Sequence, residues 1–195
     1  MRVNTVTIYT DGSCHGNPGP GGYAAIVLQN GTTKEVHGSD WYTTNNRMEL
    51  TAVIEGLKLL NSPSNVTIIT DSKYVVDQIN NGNLREFLRN PGRKNADLWE
   101  KVLQLSKWHK ISAKWVKGHS GNELNQRCDR IANQEAALLE KERKIRQLTF
   151  AELLEDVTTT PGAIAKKHHM QNQIHVIEKY YSLFWEKRAS IGGAE

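Results

Sequence analysis

Two segments of the sequence carry an aspartate at the end of a predicted β-strand. Both run from β-branched residues through Thr-Asp to a small residue, at Asp11 (Tyr-Thr-Asp-Gly-Ser) and at Asp71 (Ile-Thr-Asp-Ser-Lys). We expect each strand to stop at its aspartate, and ligands of open α/β sheets bind at the carboxyl ends of strands. An aspartate there can instead cap the next helix, which is the commoner role for either residue taken alone.

Two further carboxylates, Glu49 and Asp129, fall on apolar faces of predicted helices. Their stripes contain Val53, Gly56 and Leu60 in the first case and Ala132 and Ala136 in the second. Burying a carboxylate is costly unless a cation pairs with it, although Glu49 could also reach solvent at the rim of its stripe. Four inward carboxylates would repel one another without metal, and Mg²⁺ or Mn²⁺, hard cations that prefer oxygen ligands, would relieve the repulsion.

A histidine lies between glycines in the loop after the last predicted strand, Lys117-Gly118-His119-Ser120-Gly121. Flanking glycines make a side chain mobile, which suits proton transfer or product release better than rigid metal ligation. A lone loop histidine is more often an ordinary surface residue. A functional role for His119 is therefore supported only by the carboxylates that accompany it.

Five strands and four helices are predicted to position these residues. The strands are Thr5–Tyr9, Tyr23–Leu28, Thr32–Trp41, Val66–Thr70 and Ile111–Val116. The helices are predicted at residues 45–60, 72–79, 96–107 and from 124 onward, the first capped by Asn45 or Asn46. Asn30-Gly31 is a hairpin signal, so the first three strands should form an antiparallel meander. The later strands, joined by helices, should pair in parallel, which gives an α/β fold with a mixed sheet.

The composition of the chain favours a water-soluble globular protein. Its 195 residues are 38% hydrophobic and 24% charged, and no apolar run approaches the length of a membrane helix. The N-terminus lacks the apolar region of a signal peptide. Two cysteines, Cys14 and Cys128, provide neither a disulfide framework nor a zinc pattern, so we expect a cytoplasmic protein with no membrane partner.

Positive charge is concentrated in the middle of the chain. Residues 84–118 carry nine basic and three acidic residues, whereas residues 1–83 carry five basic and seven acidic ones. A basic region beside an acidic one suits a protein that holds a polyanion against carboxylates and metal ions. A solvated Lys/Arg face remains an equal alternative on this evidence.

The last third of the chain changes in character from about Glu140. Apolar residues among dense charge, a break at Thr158 to Gly162 and a second periodic run from Ile164 to Arg188 predict two amphipathic helices with a linker. We therefore divide the chain into an N-terminal domain, 1–138, which contains the four carboxylates, and a helical C-terminal extension of unknown role, 139–195. The extension could pack on the core as a hairpin or, given the aromatic residues Tyr180, Tyr181, Phe184 and Trp185, dock a protein partner or dimerise.

Seven motifs follow one another within residues 2–135. They are Tyr-Thr-Asp-Gly-Ser around Asp11, Asn17 to Tyr23, Thr43 to Leu50, Thr70 to Val75, Asn95 to Trp99, Trp115 to His119, and Asn125 to Asp129. Each is weak alone, but the ordered set closely resembles type 1 ribonuclease H. The resemblance implies a ribonuclease H-like fold, a five-stranded mixed sheet flanked by helices, here followed by the C-terminal extension.

The resemblance also implies a mechanism. It makes the chain an endonuclease that hydrolyses the RNA strand of RNA/DNA hybrids by two-metal-ion catalysis, leaving 5′-phosphate and 3′-hydroxyl ends. Four acidic residues would hold two Mg²⁺ ions, with Mn²⁺ as a substitute: Asp11, Glu49, Asp71 and Asp129. One ion would activate the attacking water and the other would stabilise the leaving 3′ oxygen. His119 would assist proton transfer or product departure.

By the same resemblance, two groups of residues bind the hybrid. The RNA strand, marked by its 2′-hydroxyls, would contact Gly12, Ser13, Cys14 and Glu49. The DNA strand would contact Asn17, Thr44 and Asn45. Simpler roles stay open for three of them: Asn45 as a cap, Asn17 as a turn residue and Cys14 as a small packed residue.

The sequence departs from the family pattern in its basic handle. Residues 81–87 are shorter than the tryptophan-rich handle of some members, which predicts weaker affinity for the hybrid. Basic residues remain as candidate phosphate contacts, namely Arg85, Arg89, Arg93 and Lys94. Lys73, a further candidate contact to the hybrid, occupies a position where the family commonly has a glutamine that contacts the minor groove.

Three other functions compete with this interpretation. A hybrid-binding module without activity would be marked by a lost carboxylate, and none is lost. A DNA-processing nuclease of the resolvase or transposase type shares the strand-end acids, but the motifs around Glu49 and His119 argue against it. A scaffold whose helical extension does the work would be favoured if the protein proved inert toward hybrid.

Overall fold

The computed structural model describes residues 4–81, 84–90, 92–118 and 121–158. The strands are β1 (Asn4–Cys14), β2 (Gly19–Gln29), β3 (Thr32–Thr43), β4 (Ser64–Thr70) and β5 (Lys110–Trp115). The helices are α1 (Asn45–Lys58), α2 (Lys73–Asn80), α3 (Leu84–Arg89), α4 (Ala96–Leu105) and α5 (Glu123–Thr158). All five predicted strands and all four predicted helices are present, and α3 is an addition that the sequence did not reveal.

The five strands form one mixed sheet in the order β3-β2-β1-β4-β5. β1 pairs antiparallel with β2, and β2 with β3, while β4 runs parallel to both β1 and β5. The predicted meander and parallel strands are thus confirmed. Asn30 and Gly31 have φ angles of 50° and 76°, the left-handed conformation that a tight hairpin requires.

β1 continues past Asp11, so the prediction that this strand stops at its aspartate was wrong. Residues 12–14 pair with residues 23–21 of β2, whose own ladder begins at Gly19. Gly-Ser-Cys has little strand propensity, and only the partner strand reveals that the pairing continues. β4 does end at Thr70, directly before Asp71, as predicted.

Helix α1 begins differently from the prediction that Asn45 or Asn46 caps it. The N-cap position is Thr44, which has extended backbone angles, and no side chain caps the helix by a hydrogen bond. The carbonyl of Thr44 accepts from the amides of Arg47 and Met48. Asn45 is therefore the first helical residue, which leaves its side chain available for contacts toward the following turn.

Helices cover both faces of the sheet. Adjacent residues of a strand point to opposite faces, so each strand contributes side chains to both interfaces. Val6, Ile8 and Ile68 pack with α1 and α4 residues such as Leu50 and Trp99 in the larger core cluster. On the other face, Ala24 and Ile26 pack against Cys128 and Ala132 of α5. The sheet is thereby fixed between α1 on one side and α5 on the other.

The chain divides into two units, Met1–Leu139 and Glu140–Glu195, with the boundary inside α5. In the second unit the described residues 140–158 are helical, and Lys144 pairs with Glu140 at 2.9 Å. The second predicted amphipathic run, Ile164 to Arg188, lies outside the described residues. Within the described ranges, no helix combines the length and apolar character needed to cross a membrane.

Candidate active site

Three of the predicted metal ligands converge on one point. A carboxylate oxygen from each of Asp11, Glu49 and Asp71 lies within 4.8 Å of the other two. β1 and β4 are neighbours in the sheet, and α1 crosses β1 so closely that a Cβ on Gly12 would overlap the backbone nitrogen of Glu49. The glycine after Asp11 is what allows the helix to bring Glu49 to the strand.

Glu49 is buried, with 5% of its surface exposed, so the alternative of a solvated rim carboxylate is wrong. Burial raises its pKa well above the usual value, and the charges of Asp11 and Asp71 raise it further. Asn45 offers its side-chain amide to Oε1 at 3.4 Å, while Oε2 has no hydrogen-bond donor among the described residues. A buried carboxylate oxygen without a hydrogen-bond donor, beside two other carboxylates, suits the binding of a cation.

Asp11 lies at the centre of the negative charge. Burial raises its pKa to about 8, with added repulsion from Asp71 and Asp129, and the N–H of Gly12 offsets this in part. That N–H donates to Oδ1 at 2.8 Å and so fixes the carboxylate. Without a cation Asp11 retains its proton near neutral pH, and a divalent cation would take the place of that proton.

Asp71 contacts two residues that sequence reasoning did not assign to the site, one at the end of β5 and one in the loop after it. The indole N–H of Trp115 donates to the main-chain carbonyl of Asp71 at 2.9 Å. A Cβ on Gly118 would lie 2.5 Å from Oδ2 of Asp71, so the loop backbone packs directly against this carboxylate. Both residues belong to the Trp-Val-Lys-Gly-His motif, and that motif was the available signal.

Comparison with known proteins identifies the family of the chain. Residues 3–137 match the family model described as RNase H. The chain belongs to the ribonuclease H family. It is 50% identical over 138 residues to a ribonuclease H of Pelobacter propionicus, an alignment that covers 68% of this chain and 85% of the relative. Membership makes the chain an endoribonuclease by class and confirms the resemblance.

Solved structures agree with the fold of a type 1 ribonuclease H. The crystal structure of LC9, a type 1 ribonuclease H with a type 2 active-site motif, gives a TM-score of 0.62 at 29% identity, over 70% of this chain and 74% of that one. LC11, a ribonuclease H solved in complex with RNA/DNA hybrid, gives a TM-score of 0.54 at 23% identity. That alignment covers 68% of this chain and 97% of LC11. The second similarity concerns the fold alone.

The fourth predicted ligand of this ribonuclease H, Asp129, lies on α5 outside the tight group of three. It is half-buried, and its charge contributes to the raised pKa of Asp11. Asn133, one turn later, donates to Oδ1 of Asp129 at 2.8 Å. His119, the predicted proton-transfer residue, lies outside the described residues, between Gly118 and Gly121.

The predicted DNA-strand residues of the ribonuclease H lie together at the start of α1. The side-chain oxygen of Asn17 accepts from the backbone N–H of Asn45 at 3.2 Å, and Thr44 holds the N-cap position between β3 and α1. Asn45 also reaches toward Glu49. One contact chain therefore joins the predicted DNA-binding residues to a predicted metal ligand.

The predicted RNA-strand residues Gly12, Ser13 and Cys14 form the end of β1. The hydroxyl of Ser13 donates to the side-chain oxygen of Asn133 at 2.7 Å. The thiol of Cys14 lies 3.3 Å from the carbonyl of Thr43, and burial raises its pKa. Cys14 is thus a packed residue beside the site, whatever its part in binding.

The predicted phosphate contacts lie on α3 and before α4, and Lys73, a predicted substrate contact, lies on α2. Lys73 opens α2, and its ammonium lies 5.4 Å from the ring centre of Trp115, which is itself 42% exposed. Arg89 ends α3, and Arg89, Arg93 and Lys94 are exposed. Arg85 lies on α3, and its side chain is outside the described set. Lys73 is therefore the basic residue most closely tied to the carboxylate site by a described contact.

Proposed function

We propose that the chain hydrolyses the RNA strand of RNA/DNA hybrids by two-metal-ion catalysis, giving 5′-phosphate and 3′-hydroxyl ends. The observation that carries the proposal is the convergence of Asp11, Glu49 and Asp71 within 4.8 Å, in a chain that matches the ribonuclease H family. The ribonuclease H of Pelobacter propionicus, 50% identical over 138 residues, supports the class of substrate. All four carboxylates are present, which disfavours a binding module without activity.

The cations are held by Asp11, Glu49, Asp71 and Asp129 in this proposal. The donors are all carboxylate oxygens, which suit Mg²⁺, with Mn²⁺ as a substitute. When bound, the two ions supply an activated water and stabilise charge on the phosphate and on the leaving 3′ oxygen. The orphaned Oε2 of Glu49 and the raised pKa of Asp11 support this use, since both are relieved by positive charge.

The residues of the chain then perform three tasks. Asp11, central among the carboxylates, is oriented by the N–H of Gly12 and would hold a cation through its ionised carboxylate. Trp115 and Gly118 fix the main chain and the carboxylate of Asp71. His119 assists proton transfer or the departure of product.

Recognition of the hybrid uses the two sides of the site. Gly12, Ser13, Cys14 and Glu49 contact the RNA strand, and Asn17, Thr44 and Asn45 contact the DNA strand. Lys73 contacts the hybrid beside the site, and phosphates farther along the duplex contact Arg85, Arg89 and Lys94. Each phosphate contact that is lost should reduce the salt dependence of binding.

We assign catalysis to residues 1–138 and treat residues 139–195 as a helical extension that catalysis does not require. Ala136, two residues before the end of the proposed domain, is fully buried, and Glu135 pairs with His37 at 2.8 Å. The helix is therefore part of the domain up to this point. We place the protein in the cytoplasm, and a protein partner of the extension is part of the same proposal.

The decisive experiment is cleavage of end-labelled RNA/DNA hybrid with Mg²⁺, beside single-stranded RNA, duplex RNA and duplex DNA. Wild type is compared with Asp71→Asn and with Asp77→Asn, a matched change at an exposed aspartate of α2. We expect wild type and Asp77→Asn to cut only the RNA of the hybrid, and Asp71→Asn to lose at least 100-fold in rate, as for loss of a group that stabilises the transition state (about 10² to 10³).

Other outcomes would redirect the assignment. Cutting of duplex DNA in preference to hybrid would favour the DNA-processing nuclease. A folded wild type that is inert with both Mg²⁺ and Mn²⁺ would contradict the proposal and favour the scaffold role of the extension. Retained activity in Asp71→Asn would contradict the carboxylate mechanism while leaving the substrate class intact.

A further inference from the structure

Asn133 of α5 links two parts of the candidate active site that are far apart in sequence. Its side-chain Nδ2 donates to Oδ1 of Asp129 at 2.8 Å and to the main-chain carbonyl of the same residue at 2.9 Å. Its Oδ1 accepts from the hydroxyl of Ser13 at 2.7 Å. One amide thus connects the fourth carboxylate to the end of β1, two residues after Asp11.

The orientation of this amide is fixed by chemistry. An ionised carboxylate and a main-chain carbonyl only accept hydrogen bonds, so the NH₂ group of Asn133 must face Asp129. The amide oxygen then faces Ser13, whose hydroxyl donates. Reversing the amide would place oxygen against oxygen at Asp129, so the three contacts hold as one set.

The position of Asp129 differs from that of the other three carboxylates. Asp11 and Glu49 are each 5% exposed, and they share the 4.8 Å group with Asp71, whose main-chain carbonyl accepts from Trp115. Asp129 is half-buried on a helix surface and does not belong to the 4.8 Å group. A short side chain in that position samples several rotamers unless a neighbour selects one.

We propose that Asn133 is a positioning residue, which holds the carboxylate of Asp129 in its cation-binding orientation and couples that orientation to Ser13. The inference rests on the proposed function, in which Asp129 is a metal ligand. Hydrogen-bond partners of metal ligands typically change metal affinity by about 10-fold to 100-fold when removed. Asn133 therefore controls the Mg²⁺ requirement of the enzyme more than the stability of its fold.

The test uses the full chain and compares Asn133→Leu, which keeps the size and loses the hydrogen bonds, with wild type. Gln134→Leu, an equal change at the exposed neighbour, is the control. Two quantities are measured: the Mg²⁺ concentration for half-maximal hybrid cleavage, and the rise in Tm caused by Mn²⁺, which needs no substrate. For Asn133→Leu we expect the Mg²⁺ requirement to rise about 10-fold and the Mn²⁺-induced rise in Tm to shrink. Gln134→Leu should match wild type in both.

Two further variants sharpen the result. Asn133→Gln retains the amide on a longer side chain and should restore part of the Mg²⁺ response, which a merely structural role would not predict. Asn133→Ser replaces Asn133→Leu if the latter does not fold. Ser13→Ala should weaken the response, and the effect of Asn133→Leu should be smaller in the Ser13→Ala background, because the two residues act through one hydrogen-bond chain.

A Mg²⁺ requirement and a Mn²⁺ effect on Tm that both equal those of wild type would overturn the inference. If wild type itself fails to cleave hybrid, the proposed function fails, and the Mn²⁺ titration still decides the role of Asn133. A wild-type rise in Tm that Asn133→Leu loses would then support positioning. No rise in wild type would remove the cation site and this inference with it.

Discussion

The indole N–H of Trp115 donates a 2.9 Å hydrogen bond to the main-chain carbonyl of Asp71, the residue that follows the last residue of β4. Trp115 is the last residue of β5 and pairs with Thr70 in the ladder. The bond extends the contact between β4 and β5 by one residue beyond the ladder, to Asp71, which is a candidate metal ligand. The half-exposed Trp115 therefore fixes the main chain of Asp71.

Trp115→Phe, which keeps the ring and removes the N–H, should raise the Mg²⁺ requirement for cleavage. A lost hydrogen bond of about 0.5–1.5 kcal/mol corresponds to a several-fold change in an equilibrium constant. Cleavage of hybrid across a Mg²⁺ titration measures it, with Trp108→Phe, at a 69% exposed tryptophan before β5, as the control. Equal responses of the two variants would contradict the role of Trp115.

Gly118→Ala should inactivate the enzyme with little loss of stability. The added Cβ lies 2.5 Å from Oδ2 of Asp71, and a carboxylate at the end of a short side chain moves more easily than backbone. We expect cleavage to fall at least 10-fold while Tm changes by a few degrees. Gly121→Ala is the control in the same loop: nothing lies within 4 Å of its Cβ, although its φ of 78° adds strain. Retained activity in Gly118→Ala would contradict the contact.

Asp11→Asn should stabilise the protein at high pH in the presence of EDTA. The pKa of Asp11 is about 8 in the folded protein, against 3.8 ordinarily, chiefly because of burial. The folded state therefore binds more protons than the unfolded state between these values, and stability falls as pH rises through that window. The substitution removes this loss, so at pH 8.5 the free energy of unfolding and the Tm of Asp11→Asn should exceed those of wild type.

Melting curves of both proteins at pH 5 and pH 8.5 check this prediction. The difference between Asp11→Asn and wild type should grow with pH in EDTA and reverse in Mg²⁺, because only wild type gains binding energy from the cation. A difference that does not depend on pH would show that the pKa of Asp11 is ordinary.

Arg47 and Asp97 form a two-pronged ion pair, 2.7 and 2.9 Å, that joins α1 to the start of α4. Burial would raise the pKa of Asp97, but the hydrogen bonds and charge of Arg47 outweigh it and lower the pKa. The stabilisation is then present above pH 4 and is lost as pH falls through the lowered pKa. Asp97→Asn should cost about 1–2 kcal/mol at pH 7, since both side chains are only 22–23% exposed.

Urea unfolding of wild type and Asp97→Asn at pH 7 and pH 2.5 measures the loss in the free energy of unfolding. This loss should be smaller at pH 2.5. Lys58→Ala breaks an exposed pair with Glu55 and should change stability by less than about 0.5 kcal/mol. Since Arg47 is two residues before Glu49, Asp97→Asn should also lower the rate of cleavage. An equal loss from both variants would contradict the special position of Arg47 and Asp97.

Deletion of the residues after Ala137 should leave metal-dependent cleavage within about 3-fold of the full chain. The family match ends at residue 137, and Ala136, the last buried residue of the described part of α5, is retained. Hybrid cleavage and circular dichroism of the truncated protein measure the effect. A folded truncation without activity would give the extension a direct part in catalysis.

The sequence by itself determined the elements and the chemistry of the site. Strand alternation, the Asn30-Gly31 turn and the helical stripes predicted every strand and the main helices, because these patterns depend on neighbouring residues. Asp11 and Asp71 were found because each follows a predicted strand, and Glu49 and Asp129 because an acidic residue on an apolar helix stripe is unfavourable without a cation. Their family motifs then indicated the substrate.

Only the tertiary structure decided how far elements extend and which distant residues meet. β1 runs past Asp11 because β2 supplies partners for Gly12 to Cys14, and a pattern within one strand cannot show its neighbour. Other contacts join separate segments of the chain. Trp115 and Gly118 contact Asp71, and Asn133 contacts Asp129 and Ser13. Such contacts depend on the packing of strands and helices in space, and sequence spacing does not encode them locally.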